Sequence, residues 1–576
     1  MTDEAATRTG PPRGGLLAAA GTIAVITLLA RIVGFGRWFA FSHSVGATCV
    51  GSVYQSVNAV PNVLFEIAAG GVLAAVVVPL VAGALARDDR AHADETASAL
   101  LTWAVVVLVP LGAVVALAAR PVATALLGTG CSGEADLGAE LLRVFAVQIP
   151  LYGVAIVLAG VLQSHRQFVG AALAPLLSSL VVIAAYLAYR ALVPDPAAAI
   201  GDVPQRATVV LGVGTTLGVV ALALPLVAPV RRAGIRLRPR LRFPDGVARR
   251  VRSLALAGLL AVAGQQLATL VVIRLANDRG GSGTLNVYTY AQAVTLLPYA
   301  VLAVPLATAA FPSLAGALAA SEQAGGQTGV QTGVQTGVRA CVVGDPAATL
   351  RRAWLATVVV SLFGVAALVA VAVPVGAFFS ALDAGSTSDA SLETLSAMGD
   401  AVSAFAPSVL ALGVIGLLTR ASYVRGRAVV AGGLAALGWL ATVVVPLLVL
   451  DPEGAGGPAT LRALAAGSSA GLALGAVLLV GLVARSWGWS SLRLPRRPLT
   501  AALAGSLVAA VGGRVVSSWL SVRGVGHTLG SSLAVGAGVA LLALAVMVGV
   551  ALAVDPGLVQ RVRRSRTGAV PHEAAS

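Results

Sequence analysis

The chain contains fourteen apolar segments, each long enough to cross a lipid bilayer as a helix. A spanning helix needs about 20 apolar residues, and every backbone N–H and C=O inside the membrane must be bonded within the protein. Charged and turn-forming residues separate the segments, which run roughly over 16–42, 52–86, 96–120, 137–163, 168–190, 206–230, 253–277, 285–320, 353–381, 398–420, 428–450, 460–484, 498–521 and 528–554. The sequence therefore predicts an all-α polytopic membrane protein with about 14 transmembrane helices.

The composition supports this class and excludes several others. Only 11% of the residues are charged and 57% are apolar, whereas about 25% are charged in a soluble domain. These values exclude a disordered chain, a nucleic-acid-binding domain and an ordinary soluble enzyme. No phosphate-binding loop, zinc-protease motif or nucleophile elbow is present in the sequence. We therefore predict that the protein is not an enzyme and that it needs no cofactor.

The cysteines and histidines point to no metal site. Five scattered histidines and three cysteines have no metal-ligand spacing, and three cysteines are too few for a disulfide framework. Cys49 and Cys131 fall on the same predicted side of the membrane and could pair, although unpaired thiols are the simpler expectation.

The basic residues predict the orientation of the chain in its membrane. With the N-terminus in the cytoplasm, the main arginine clusters lie on the cytoplasmic side, and the largest has nine arginines within 231–252. The loops predicted outside are acidic instead, as with Asp195 and Asp202. This positive-inside bias predicts that both termini are cytoplasmic. Anionic lipid headgroups are the expected partner of the 231–252 cluster.

The sequence resembles itself at an offset of about 233 residues. Val53-Tyr54 matches Val287-Tyr288, and the pentapeptide 82–86 matches 315–319. The offset aligns the sequence of predicted helix 1 with that of predicted helix 7, so each repeat has six helices. Because six is even, the two repeats share one orientation, as in transporters with parallel repeats around a central cavity. The repeat is also compatible with a channel or a non-transporting scaffold.

The repeat divides the chain into six predicted parts. These are a cytoplasmic tail (1–15), an N-terminal six-helix lobe (16–230), a basic cytoplasmic linker (231–252), a C-terminal six-helix lobe (253–484), helices 13 and 14 (498–554) and a basic cytoplasmic tail (555–576). The three Gln-Thr-Gly-Val copies in 327–338 have no charge and no apolar periodicity. We interpret them as a flexible insert.

Two charges lie deep inside predicted helices. Arg31 is about 22 Å along helix 1 at 1.5 Å per residue, and Glu66 is similarly deep in helix 2. A charge at that depth is costly, so it faces the protein interior or a wet cavity. Arg31, together with Arg37, predicts a cationic cavity for a phosphate or pyrophosphate, because the guanidinium fork bonds two oxygens at once. A pair between Arg31 and Glu66 that only joins the helices is the alternative.

Uncharged polar residues recur in helix 2 and helix 8. Gln55, Asn58 and Asn62 lie in helix 2, and Gln292 lies in helix 8 of the second repeat. Their amides could line a cavity that accepts sugars. Hydrogen bonding between helices explains the same residues without a ligand.

The stretch from Ala30 to Arg37 contains an Arg-Ile-Val-Gly-Phe-Gly-Arg motif, and Val60 to Leu64 and Val78-Pro79 follow it. These stretches resemble the start of the MurJ/MviN family of lipid II flippases, in the multidrug/oligosaccharidyl-lipid/polysaccharide (MOP) superfamily. Tyr290 to Leu314 and Leu418 to Arg427 resemble later helices of that family. The resemblance spans most of the chain and is densest over 30–86.

The resemblance implies transport of an undecaprenyl-pyrophosphate-linked peptidoglycan precursor from the inner to the outer leaflet by alternating access. Arg31 and Arg37 would match the two arginines of the family's first helix. The implied partners are that lipid-linked saccharide and the cell-wall synthesis machinery. Helices 13 and 14 would hold the lipid tail.

Some family positions differ in this chain. Phe65 and Glu66 stand where many members have a basic pair, Ser52 replaces an acidic residue, and Gln292-Ala293 replaces Asp-Arg. The cargo therefore stays open between lipid II, another lipid-linked oligosaccharide and a small molecule or drug. A non-transporting cell-wall scaffold is the alternative outside transport.

Overall fold

The computed structural model is all-helical in the part of the chain that it describes, and no β-strand occurs there. The described residues are 13–67, 74–85, 87–128, 130–165, 167–195, 198–244, 247–326, 345–383, 389–451 and 455–554. The Gln-Thr-Gly-Val repeat, the C-terminal tail and most of the N-terminal tail lie outside them. The prediction of an all-α polytopic membrane protein is confirmed.

The chain divides into two compact units, Met1–Leu259 and Leu260–Ser576. The N-terminal unit contains α1 (Arg13–Ser44), α2 (Cys49–Glu66), α3 (Ala74–Leu85), α4 (Arg90–Leu117), α5 (Ala119–Leu126), α6 (Glu134–Ala146), α7 (Gln148–Ser164), α8 (Phe168–Leu192), α9 (Gln205–Ala223) and α10 (Val227–Arg232). The boundary falls within α11 (Val247–Gly280).

The C-terminal unit continues with ten further helices. They are α12 (Thr284–Pro298), α13 (Val304–Gly326), α14 (Pro346–Asp383), α15 (Asp389–Ser396), α16 (Met398–Val424), α17 (Ala428–Ala441), α18 (Val444–Val449), α19 (Gly457–Trp487), α20 (Arg496–Val522) and α21 (Leu529–Val554). A single π-helical turn, Tyr299–Ala303, joins α12 to α13.

Twelve helical segments of the described residues are long and apolar enough to span a membrane. Each overlaps one of the fourteen predicted segments. The other two predictions, 52–86 and 253–277, overlap α2 with α3 and α11, which are helical but are not among the twelve. The count of fourteen therefore stays a prediction, while the chain is a multi-pass membrane protein.

Each unit has its own apolar core. In the N-terminal unit, residues such as Val81, Leu158 and Leu226 bring α3, α4 and α7 together with the segment before α10. In the C-terminal unit, Leu417, Leu479 and their neighbours join α16 and α19. A further cluster packs α20 and α21, the predicted helices 13 and 14, against α14.

The two units contain similar aromatic arrangements at the positions that match in sequence. Tyr54 in α2 lies 5.6 Å from Phe145, and Tyr288 in α12 lies 5.3 Å from Phe405, measured between ring centroids. Both tyrosines are buried. These environments support the duplication, and the predicted lobe boundaries stay a prediction.

An extended strap, residues 235–244, forms the middle of the predicted basic linker. Its backbone N–H groups at Arg236, Arg238 and Arg240 donate to side-chain oxygens of α4: Asp94 Oδ2 (3.2 Å), Ser98 Oγ (3.1 Å) and Thr102 Oγ1 (2.9 Å). Those acceptors are four residues apart, so they share one helix face. Trp103 Nε1 also donates to the Leu241 carbonyl at 2.9 Å. The strap is therefore fixed along α4.

A disulfide joins Cys49, at the start of α2, to Cys131, just before α6. The expectation of unpaired thiols is wrong for these two residues. The chain separation of 82 residues gives no signal for this contact, because the α2–α6 packing that brings the cysteines together depends on the tertiary fold.

Candidate functional site

Arg31 and Arg37 both lie on α1, where the sequence places them. Arg31 is exposed and Arg37 is half-buried. Between them, a methyl group at Gly34 would lie 3.9 Å from Ser179 Oγ, so this face of α1 contacts α8. Because Arg31 and Arg37 are each three residues from Gly34, they flank the packed face on opposite sides. Arg31 is therefore exposed beside this contact, and Arg37 is half-buried beside it.

The alternative of an Arg31–Glu66 pair is absent from the structure. No salt bridge within the described residues includes Arg31, Arg37 or Glu66. Glu66 is exposed at the end of α2. Arg31 therefore has no salt-bridge partner among the described residues, and its place in a cationic cavity stays a prediction.

A polar cluster in the N-terminal unit surrounds Tyr152 of α7. Its hydroxyl donates to Asn62 Oδ1 at 3.1 Å, and Asn62 Nδ2 donates to the Asn58 carbonyl at 2.7 Å. Arg37 and Glu66 both lie within electrostatic range of the same hydroxyl. Of the predicted site residues, Asn62 therefore contacts this tyrosine directly and Asn58 is bonded to Asn62.

Gln55 lies one turn before this cluster on α2. Its Nε2 atom is buried without a hydrogen-bond partner in the described part of the chain, as is Asn58 Oδ1. A buried polar atom without a partner costs about 1–3 kcal/mol. Both amides therefore have unused hydrogen-bonding capacity within the described residues.

The sequence analysis did not identify the tyrosines that hold the helices of this site together. Tyr54 and Tyr186 share a hydrogen bond of 2.9 Å between their hydroxyls, and Tyr54 also bonds Thr215 Oγ1 at 3.0 Å. Phe41 of α1 stacks on Tyr54 with ring centroids 5.5 Å apart. These contacts fix α1 against α2, α8 and α9, and so position Arg37. In the sequence, each tyrosine looks like an ordinary core aromatic.

Gln292 lies in a different place from the other predicted residues. It lines a cavity of about 720 Å³ inside the C-terminal unit. The polar side chains of its lining include Gln265, Thr269, Thr295, Ser408 and Ser468. Among the described residues of that lining, Arg420, near the end of α16, is the one that carries a charge, and the sequence analysis assigned it to no site.

Two other arginines inside predicted helices have local partners. Arg274 Nη2 bonds Asp278 Oδ1 of the same helix at 2.9 Å. Arg514 Nη2 bonds Asp400 Oδ1 at 3.0 Å, and Arg462 bonds the other carboxylate oxygen at 3.2 Å. Ion pairing explains both residues without a ligand. No group of three or more His, Cys, Asp or Glu that could hold a metal occurs among the described residues.

A family model for the lipid II flippase MurJ matches residues 41–533, which is most of the chain. The chain belongs to the MurJ family. Arg31 and Arg37 precede the matched region, so their assignment rests on the motif in α1, whereas Gln55 to Glu66, Gln292 and Arg420 lie within the match.

The chain spans about half the length of the curated MurJ proteins that it matches. The lipid II flippase MurJ of Burkholderia cenocepacia is 29% identical over 302 residues, covering 51% of this chain and 56% of that protein. The probable lipid II flippase MurJ of Rhizobium tropici is 27% identical over 300 residues, covering 52% and 54%.

Solved structures share the fold. A lipid II flippase MurJ in an inward closed conformation has a TM-score of 0.67 at 14% identity, covering 91% of this chain and 98% of that one. An inward-facing multidrug transporter of the MATE family in the MOP superfamily has a TM-score of 0.60 at 15% identity, covering 82% and 98%. The MurJ fold therefore extends over nearly the whole chain.

Proposed function

We propose that this protein moves lipid II from the inner to the outer leaflet of the bacterial plasma membrane by alternating access of its two lobes. The observation that carries the proposal is the match to the MurJ family over residues 41–533. The process is transport and not catalysis, so the side chains have to bind and release the cargo without reacting with it.

The arginines of α1 are the proposed pyrophosphate ligands. Arg31 is exposed and Arg37 is half-buried, and neither has an ion pair among the described residues. An arginine–phosphate contact is charge-assisted and commonly bidentate, which makes it strong inside a membrane protein. Asn58 and Asn62, with Tyr152, supply neutral hydrogen-bonding groups for the sugar end of the same substrate.

The proposed topology has both termini in the cytoplasm, since the large arginine clusters then face inward. In this orientation the strap of residues 235–244 lies at the cytoplasmic surface. Its arginines at 236, 238, 240 and 242 alternate along an extended segment and are all exposed. Only Arg240 of these four has an ion-pair partner, Glu95, among the described residues. Anionic lipid headgroups and the cell-wall synthesis machinery are the proposed partners besides the cargo.

Anionic lipid should stabilise the protein through these four arginines. We expect the Tm in nanodiscs to rise when an anionic lipid is added to a neutral bilayer, because each surface arginine gains about 1 kcal/mol from the negative headgroups. Replacing Arg236, Arg238, Arg240 and Arg242 by Gln should remove most of that rise, and high salt should reduce it in the wild type. An equal rise in the variant would contradict the lipid contact.

Rescue of a flippase-depleted bacterial strain tests the proposed function. We expect the wild-type chain to restore growth and cell shape when it is expressed at the level of the native flippase. A protein that reaches the membrane but does not restore growth would contradict lipid II transport. Restored drug resistance without restored growth would instead favour export of small molecules, and binding of cell-wall enzymes without rescue would favour a scaffold.

A further inference from the structure

The cavity around Gln292 lies wholly within the C-terminal unit. Helices α11, α12, α13, α16, α17 and α19 supply its wall together with the π-helical turn. Its volume of about 720 Å³ falls within the range of about 300–1,000 Å³ for small-molecule sites. It does not include Arg31, Arg37 or any other site residue of the N-terminal unit, so it needs an explanation of its own.

The lining has an unusual balance of charge. Amides and hydroxyls face the cavity together with the aromatic rings of Tyr299, Phe405, Tyr423 and Trp439. Arg420 is the one cation, and no aspartate or glutamate is among the described residues that line the cavity. A positive site with no counter-charge disfavours a cationic drug and favours an anion. The amides and aromatic faces match the hydroxyls and C–H faces of a sugar.

Arg420 is held in position by one hydrogen bond and has further N–H donors without a partner in the described residues. Its Nη1 atom donates to the Gly416 carbonyl at 2.7 Å, one turn earlier in α16. This is its one hydrogen bond within the described residues, whereas a guanidinium has five N–H donors. The side chain is half-buried, so solvent screens its charge less than at an open surface.

The backbone beside Arg420 leaves one corner of the cavity open. A methyl group at Gly416 would lie 3.5 Å from the Tyr299 hydroxyl and 3.6 Å from Arg420 Nη1. Tyr299 begins the π-helical turn, a feature that often occurs at functional sites. Next to Arg420, Thr419 Oγ1 is buried without a hydrogen-bond partner in the described residues.

We propose that this cavity is a binding site for the anionic, hydroxyl-rich headgroup of a sugar that carries phosphate or carboxylate, with Arg420 as its anion ligand. Tyr299, Gln292 and the hydroxyl side chains bind the sugar. In the proposed topology Arg420 lies near the cytoplasmic end of α16. A lipid-linked precursor and a free nucleotide-linked sugar both offer this chemistry on that side. The site goes beyond the proposed pyrophosphate ligands, and its binding is measurable without transport.

Equilibrium binding to the full-length protein in neutral nanodiscs tests the site. One arm uses radiolabelled lipid II, and the other uses the nucleotide-linked amino sugar that bears the same peptide. Arg420→Ala should weaken binding about tenfold or more, because it removes charge-assisted hydrogen bonds. If both ligands bind, the site recognises the headgroup without the lipid. If only lipid II binds, the site needs the lipid-linked form. Either result supports the proposal when the binding depends on Arg420.

Two further variants complete the test. Arg425→Ala is the matched control, because Arg425 is on the same chain segment but its guanidinium lies 4.5 Å over the ring of Trp487 and it does not line the cavity. It should bind like the wild type. Gly416→Val retains Arg420 and fills the open corner, so it should also weaken binding if Arg420→Ala does not fold. The proposal would be overturned if Gly416→Val and folded Arg420→Ala both bound the ligands with wild-type affinity. It would also be overturned if the wild-type protein bound neither ligand. Growth rescue is scored separately, so loss of rescue with binding retained counts against transport alone.

Discussion

Arg31→Ala is expected to abolish rescue of a flippase-depleted strain, although the protein still reaches the membrane. Arg31 is exposed on α1 and has no salt bridge within the described residues. Its removal should therefore cost little folding energy but eliminate a charge-assisted contact to the pyrophosphate. The measurement is growth after depletion, with membrane levels determined by immunoblot.

Two variants separate charge from geometry in this experiment. Arg31→Lys keeps the charge but loses the planar fork, so it should rescue growth only partly. Arg274→Ala is the matched control, because Arg274 also lies in a predicted spanning helix but pairs with Asp278. It should rescue growth fully. Full rescue by Arg31→Ala would show that Arg31 is not needed for the cargo.

Gly471→Val is expected to prevent stable folding of the C-terminal unit. Gly471 of α19 packs directly on the backbone of Thr442, and a Cβ atom there would lie 2.6 Å from the carbonyl carbon of Ala441. Gly438 and Gly475 make a similar close approach between α17 and α19, where a Cβ at Gly438 would lie 2.7 Å from the Gly475 Cα. Small residues four apart allow this contact. Because backbone atoms cannot rotate away, we expect the free energy of unfolding to fall by about 3 kcal/mol or more.

Gly481→Val on the same helix is the control for helix propensity. A Cβ atom at Gly481 would meet nothing within 4 Å. The two variants thus add the same β-branched side chain to α19, in one case against backbone and in the other into open space. Membrane levels and Tm in detergent should fall strongly for Gly471→Val and stay near wild type for Gly481→Val. Equal values for the two would contradict the close packing of α17 on α19.

The spanning helices could be predicted because length and apolar content are local properties. Helices α5 and α15 were missed, since they have eight residues each and cannot span a bilayer. The glycines at 212, 214 and 218 let helices pack closely, as small residues in an apolar segment often do. A Cβ at Gly212 would lie 3.1 Å from Leu141, and Gly214 and Gly218 face Ala185 and Val182.

The candidate site could be predicted only where polarity was unexpected. Asn62 and Glu66 stand out because their neighbours are apolar, and the structure bonds Asn62 to Tyr152. Tyr152 itself does not stand out, since a tyrosine is common in a helix core. Arg420 was also missed as a binding residue, because it ends a span where the positive-inside bias already explains an arginine. Its contribution to a cavity depends on α11, α12 and α17, which are distant in sequence.

Labelling of lipid II on the outer leaflet tests the central claim most directly. In a strain depleted of its flippase and expressing the wild-type chain, a membrane-impermeant reagent or enzyme that modifies only outward-facing lipid II should reach near-normal levels of product. Cells that express Arg31→Ala at the same level should match the depleted strain. If lipid II stays inaccessible with the wild-type chain in the membrane, or is equally accessible with Arg31→Ala, transport of lipid II through the α1 arginines is contradicted.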